Sequence, residues 1–119
     1  MLRDDRPIFQ QIADQLADGV LAGAYPPGSP VPSTNELAAF HRINPATVGK
    51  GMTLLVDRGV LEKRRGLGMY VTAGARERLL EDRRAAFARG FIAPMLAEAA
   101  SLGLGVTEVH RIIDQEVEP

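Results

Sequence analysis

A chain of 119 residues with a net charge of −1, 45% hydrophobic and 24% charged residues suits one compact domain with an appendage. The absence of cysteine excludes disulfides, thiolate metal sites and cysteine nucleophiles, and is compatible with a reducing compartment. The N-terminus lacks the basic and apolar stretches of a signal peptide, and no apolar run is long enough to span a bilayer. We therefore expect a cytoplasmic protein with no membrane partner.

The first predicted element is an amphipathic helix over residues 7–22. Pro7 suits the first position of a helix, and apolar residues recur every four positions from Ile8 to Val20. The proline-rich segment 25–32 cannot be helical, because proline removes backbone donors and holds the preceding residue extended. We expect it to form a loop with at most one short edge strand.

Two capping signals predict the next two helices. Ser33 and Glu36 have the spacing of a capping box, which indicates a short helix that ends near residue 41. Asn44 followed by Pro45 indicates a third helix, because asparagine is a favourable N-cap and proline fits the first turn. Two helices joined by so short a turn are typical of the helix-turn-helix.

After residue 59 the pattern changes to that of a β-hairpin. Strand-like runs at 60–63 and 69–72 flank a five-residue turn that contains two glycines. The rest of the chain is rich in helix formers, with a kink or break expected between Gly90 and Pro94 and a last helix capped by Thr107. The expected fold is mainly α with a small β-hairpin wing: a winged helix-turn-helix over residues 1–73 and a helical dimerisation segment over 75–119.

Residues 7–71 resemble the DNA-binding domain of GntR-family transcription regulators. The short helical tail and the segment 43–48 resemble the YtrA-type subgroup of that family in particular. The resemblance rests on these landmarks: Pro27-Gly28, Pro32-Ser33, Glu36-Leu37-Ala38, Thr47-Val48, Gly59 and Arg64-Arg65-Gly66-x-Gly68. It implies a homodimer that binds a near-palindromic operator in double-stranded DNA, with repression as the expected outcome, and it leaves open whether a small-molecule effector releases the DNA.

Three segments of such a fold would contact DNA. The third helix would lie in the major groove, the start of the second helix would offer backbone amides to a phosphate, and the wing would enter the minor groove or follow the backbone. Many GntR proteins have arginines where this chain has Asn35, Pro45 and Gly49, so we expect base readout to shift toward Lys50, Arg42 and the wing. The predicted DNA-binding residues are Ser33, Thr34, Asn35, Arg42, Asn44, Pro45, Ala46, Thr47, Lys50, Arg64, Arg65 and Gly66.

The tail is too short for a core of its own, yet it carries several apolar stripes. A second copy related by a twofold axis would cover them. The predicted dimerisation residues are Leu80, Phe87, Phe91, Met95, Val109 and Ile113. Ligand pockets usually enclose about 300–1,000 Å³, which one tail can hardly provide, so an effector would bind at the dimer or domain interface.

The chain shows no pattern of a catalytic or metal-binding site. It has no nucleophile elbow and no phosphate-binding glycine loop, and His41 and His110 have no partners at metal-ligand spacing. We therefore expect no catalytic residue, metal or cofactor. A winged-helix adaptor that binds protein without specific DNA binding is the alternative left open, and the salt dependence of DNA binding would separate the two.

Overall fold

Helix α1 spans Ile8–Leu21 in the computed structural model, which describes residues 2–118. Its apolar stripe is buried at helical spacing, from Ile12 to Val20, as the sequence pattern predicted. The one polar residue in this stripe, Gln11, is satisfied because its side-chain amide donates to the carbonyl of Arg6 over 2.9 Å. The chain that precedes α1 is thereby fixed to the helix.

Helix α2 spans Thr34–His41 and begins with the predicted capping box. The Ser33 hydroxyl accepts a hydrogen bond from the Glu36 amide, and the Glu36 carboxylate accepts one from the Ser33 amide, each over 3.0 Å. Arg42 ends the helix in the left-handed conformation, with φ of 57°. This conformation turns the chain sharply into the next helix.

Helix α3 spans Pro45–Asp57, with Asn44 as the predicted N-cap. The Asn44 side chain accepts a hydrogen bond from the Ala46 amide over 2.8 Å. Val48, Met52 and Leu55 are fully buried. Because these residues share one face, α3 packs against the rest of the core and leaves its other face in solvent.

The wing is an antiparallel hairpin of β1 (Leu61–Arg64) and β2 (Gly68–Val71), in which Leu61 pairs with Val71. Both strands are shifted by one residue from the predicted runs. The proline-rich loop adds a short edge to β2 through a bridge between Pro30 and Tyr70, as expected from the sequence. The hairpin is therefore anchored on both sides of β2.

The chain divides into two compact units, the first ending at Glu81 and the second beginning at Asp82. This division falls later than the predicted boundary at residue 73. The cause is helix α4 (Ala75–Phe87), whose residues Ala75 and Leu79 are buried in the hydrophobic core of the first unit.

In the second unit the helix continues through a π-helix, Ala88–Ile92, into α5 (Ala93–Ser101). The sequence predicted a kink or a break between Gly90 and Pro94. The break does not occur, because the wider π turn accommodates a proline that lacks an amide hydrogen. The mainly helical fold with a two-stranded wing is nevertheless the expected one.

The last helix, α6, spans Val106–Val117 and has Gly105, not Thr107, as its N-cap. The Glu108 carboxylate accepts a hydrogen bond from the Gly105 amide over 3.2 Å, which lets the helix begin earlier than predicted. No single helix in residues 2–118 is long and apolar enough to cross a membrane. Only Ala75–Ser101 and Val106–Val117 taken together, with a sharp bend between them, reach that length and apolarity.

Candidate nucleic-acid interface

The solvent-facing side of α3 is the first part of the candidate interface. Pro45, Ala46 and Lys50 are exposed, and Thr47 is half-buried. Asn44 and Arg42, also predicted to contact DNA, are exposed at the preceding turn. A helix with one face in the core and its first turns in solvent has the geometry of a helix that enters the major groove.

Lys50 is held at the surface by an aromatic ring from α1. Its ammonium nitrogen lies 4.2 Å from the ring centroid of Phe9. A cation over an exposed ring gains about 0.5–1 kcal/mol, a small amount compared with a charge-assisted bond to a phosphate or a guanine edge. The contact orders the Lys50 side chain and leaves its ammonium group available to bind DNA.

The start of α2 is the second part. The capping box engages the amides of Ser33 and Glu36, so the amides of Thr34 and Asn35 are the ones that remain directed out of the helix start. Hydrogen bonding from Ser33, mainly from its backbone N–H and also through its side chain, holds the pKa of Glu36 below its ordinary value. A carboxylate therefore stands beside the two amides and would oppose a phosphate there.

The wing tip is the third part. Arg65 and Gly66 are exposed at the turn, where Gly66 has a φ of 74° that favours glycine. Arg64 is placed differently, because its guanidinium lies 4.1 Å from the ring centroid of Tyr70 and 3.1 Å from the Glu62 carboxylate. Two of the three predicted wing residues are therefore presented at the tip, and Arg64 is engaged on the outer face of the hairpin.

The structure also brings the predicted residues at the start of α2 together with residues that the sequence did not single out. The start of α2, one side of α3 and the hairpin enclose an open groove of about 450 Å³, which we call the wing groove. Its lining residues are Pro32, Ser33, Thr34, Asn35, Gly49, Met52, Thr53, Lys63, Gly68 and Met69. The strand alternation of β1 indicates the place of Lys63, two residues after buried Leu61, and Thr53 lies one helical turn after Gly49.

The predicted dimerisation residues fall into different environments. In the second unit the rings of Phe87 and Phe91 lie 5.8 Å apart and are 56% and 68% exposed. Ile113 is also exposed, Met95 is half-buried, and Val109 is buried within its own chain. Leu80 belongs to the first unit and is half-buried there. Phe87, Phe91 and Ile113 are the members best placed to meet a partner.

The family model of gntR bacterial regulatory proteins matches residues 8–71, which contain α1, α2, α3 and the wing. This chain belongs to the gntR family. It is 30% identical over 113 residues to the HTH-type transcriptional repressor YtrA of Bacillus subtilis (strain 168), a match that covers 95% of this chain and 86% of YtrA. The similarity to YtrA includes the tail and places the chain in the YtrA-type subgroup.

Two solved structures extend this similarity to the fold. A GntR-family protein from Bacteroides thetaiotaomicron has a TM-score of 0.79 at 26% identity, covering 92% of this chain and 96% of its own. YtrA from Sulfolobus acidocaldarius has a TM-score of 0.54 at 26% identity, covering 98% and 92%. As a member of this family, the chain is a DNA-binding transcription regulator, and the relatives it matches are named as regulators rather than enzymes.

Proposed function

We propose that a homodimer of this GntR-family chain represses transcription by binding a near-palindromic operator. The observation that carries the proposal is the wing groove, since it gathers the start of α2, the side of α3 that carries Gly49 and Thr53, and the hairpin. In this binding mode α3 lies in the major groove and the wing tip meets the adjacent minor groove or backbone.

Each predicted segment has its own role in this mode. Ala46 and Thr47 offer methyl groups and a hydroxyl to base edges, and Lys50 offers a cation to a guanine or a phosphate. The amides at the start of α2 fix the register on the backbone and carry no sequence information. Arg65 adds charge at the wing tip.

The dimer is supported by the second unit, whose exposed side chains include Phe87, Phe91 and Ile113. Exposed apolar side chains in such number indicate an interaction surface. A twofold dimer would place two copies of α3 on half-sites whose centres lie about 34–36 Å apart or at a multiple of that distance. We assign this function to the cytoplasm, where bacterial operator DNA is found, and an effector, if one exists, to the dimer or domain interface.

The test measures DNA affinity against salt by fluorescence anisotropy. The probes are a duplex with an inverted repeat from the DNA upstream of the gene, the same duplex with one half-site scrambled, and a shuffled duplex of equal length. We expect the intact repeat to bind most tightly and all affinities to fall steeply between about 50 and 200 mM salt.

The contrary outcome is clear-cut. If the intact repeat binds no better than the shuffled duplex at about 0.15 M salt, the operator proposal is wrong and the adaptor alternative gains support. A transcription assay with the intact repeat between promoter and reporter then separates repression from activation, since a repressor lowers the signal as protein is added.

A further inference from the structure

The wing presents two neighbouring cations in opposite directions. Arg64 lies on the outer face of the hairpin, where Glu62 and Tyr70 hold it. Lys63 is exposed, lines the wing groove and has no ion-pair partner among residues 2–118. Strand alternation is the cause, because neighbouring residues of a strand point to opposite faces. The cation that faces α3 is therefore Lys63.

The walls of the wing groove combine exposed polar side chains with less exposed apolar ones. Gly49 contributes no side chain, and a Cβ there would meet nothing within 4 Å. Thr53 is exposed on the adjacent turn of α3, and the sulfur-bearing side chains of Met52 and Met69 line the interior. An exposed hydroxyl and an exposed ammonium therefore line the same groove as two less exposed apolar side chains.

We propose that Lys63 binds a backbone phosphate of the DNA at the mouth of the wing groove, with the Thr53 hydroxyl as a second donor. This inference rests on the proposed function and adds a contact that bridges α3 and the wing. The ammonium neutralises a phosphate and releases its counterion, so the contact adds affinity on every sequence and no preference among sequences.

The test uses the full-length protein, the inverted-repeat duplex and the shuffled duplex of equal length. We expect Lys63→Gln to weaken binding to both duplexes on the order of fivefold at about 0.15 M salt and to reduce the slope of log K against log salt by about 0.9. Lys63→Arg should keep the wild-type slope. Thr53→Val, which keeps the side-chain shape, should weaken binding to both duplexes and leave the salt slope unchanged.

The matched control is Arg58→Gln, which removes an exposed cation at the C-terminal end of α3, away from the groove. If the salt slope of Lys63→Gln equals that of Arg58→Gln and of the wild type, the proposed phosphate contact is wrong. The proposed binding of DNA by the wild type is not affected by that result. If the wild type binds neither duplex with a salt dependence, the proposed function itself is wrong. Equal unfolding temperatures of the variants show that a changed slope does not come from a damaged fold.

Discussion

A Cβ atom built on Gly51 lies 2.7 Å from the backbone carbonyl oxygen of Phe9. The same atom would lie 3.3 Å from two carbon atoms of Ile12. Helices α1 and α3 therefore approach each other as closely as they do because residue 51 has no side chain. Since a backbone oxygen cannot move aside, any larger residue at this position must push the two helices apart.

We expect Gly51→Ala to lower the free energy of unfolding by about 1–3 kcal/mol through this overpacking. Gly49→Ala is the matched control in the same helix, because a Cβ at Gly49 meets nothing within 4 Å. Without a clash, the helix propensity of alanine should raise the stability by about 0.5–1 kcal/mol. Urea denaturation of both variants measures the two effects, and stabilisation by Gly51→Ala would show that α1 and α3 are not in close contact.

These two glycines show what local sequence can and cannot predict. The glycines are equally unfavourable for a helix in isolation, and only the tertiary contact with α1 distinguishes Gly51 from Gly49. By contrast, the starts of α2 and α3 were predicted correctly, because the capping bonds of Ser33 and Asn44 involve neighbours within three residues.

The features that the sequence did not predict also depend on the folded structure rather than on neighbouring residues. Gly90 and Pro94 suggested a kink or a break, and the helix continues through a π turn that keeps its backbone bonded. The engagement of Arg64 with Tyr70 depends on the pairing of the two strands, which places Arg64 opposite Gly68 and diagonal to Tyr70, a contact that the sequence did not predict. In the sequence Lys63 directly precedes Arg64 and Arg65, and only the folded hairpin separates it from these neighbours and turns it toward α3.

We expect Lys50→Ala and Arg65→Ala each to weaken operator binding markedly and to leave the fold intact. Both side chains are exposed, and Lys50 loses only its contact with Phe9, worth about 0.5–1 kcal/mol. Arg111→Ala removes an exposed cation from the second unit and serves as the control. Fluorescence anisotropy gives the affinities and circular dichroism checks the fold. Wild-type affinity in both test variants would mean that a different face binds DNA.

The capping box of α2 makes a pH-dependent contribution to stability through Glu36. Its pKa is lowered in the folded state, so the stabilisation is present above the unfolded pKa of about 4.3 and is lost as pH falls through the lower folded value. We expect Glu36→Gln to lose less stability than the wild type between about pH 6 and pH 3. Glu116→Gln, in the last helix, is the control for removing one exposed carboxylate. A constant difference between Glu36→Gln and the wild type across this range would contradict the assignment.

The same substitution tests the start of α2 as a phosphate anchor. Glutamine keeps an oxygen that can accept a hydrogen bond from the Ser33 amide, and it removes the negative charge beside the amides of Thr34 and Asn35. Because like charges repel, Glu36→Gln should bind DNA more tightly than the wild type at neutral pH, on both the inverted repeat and the shuffled duplex. Weaker binding to both duplexes would mean that the carboxylate orders the helix start more than it repels a phosphate.

Dimerisation through the second unit predicts that one exposed aromatic residue controls the oligomeric state. We expect Phe91→Ser to shift the protein from dimer to monomer at micromolar concentration. The Phe91 ring is 68% exposed and lies next to Phe87, and the substitution puts a polar group in its place. Phe40→Ser is the matched control, since Phe40 is 81% exposed but lies in the first unit. Sedimentation equilibrium distinguishes the two states, and a wild type that is already monomeric would overturn the dimer.

Because two half-sites are held by one dimer, Phe91→Ser should also lose most of the preference for the intact repeat over a single half-site, whereas its affinity for that half-site should stay close to wild type.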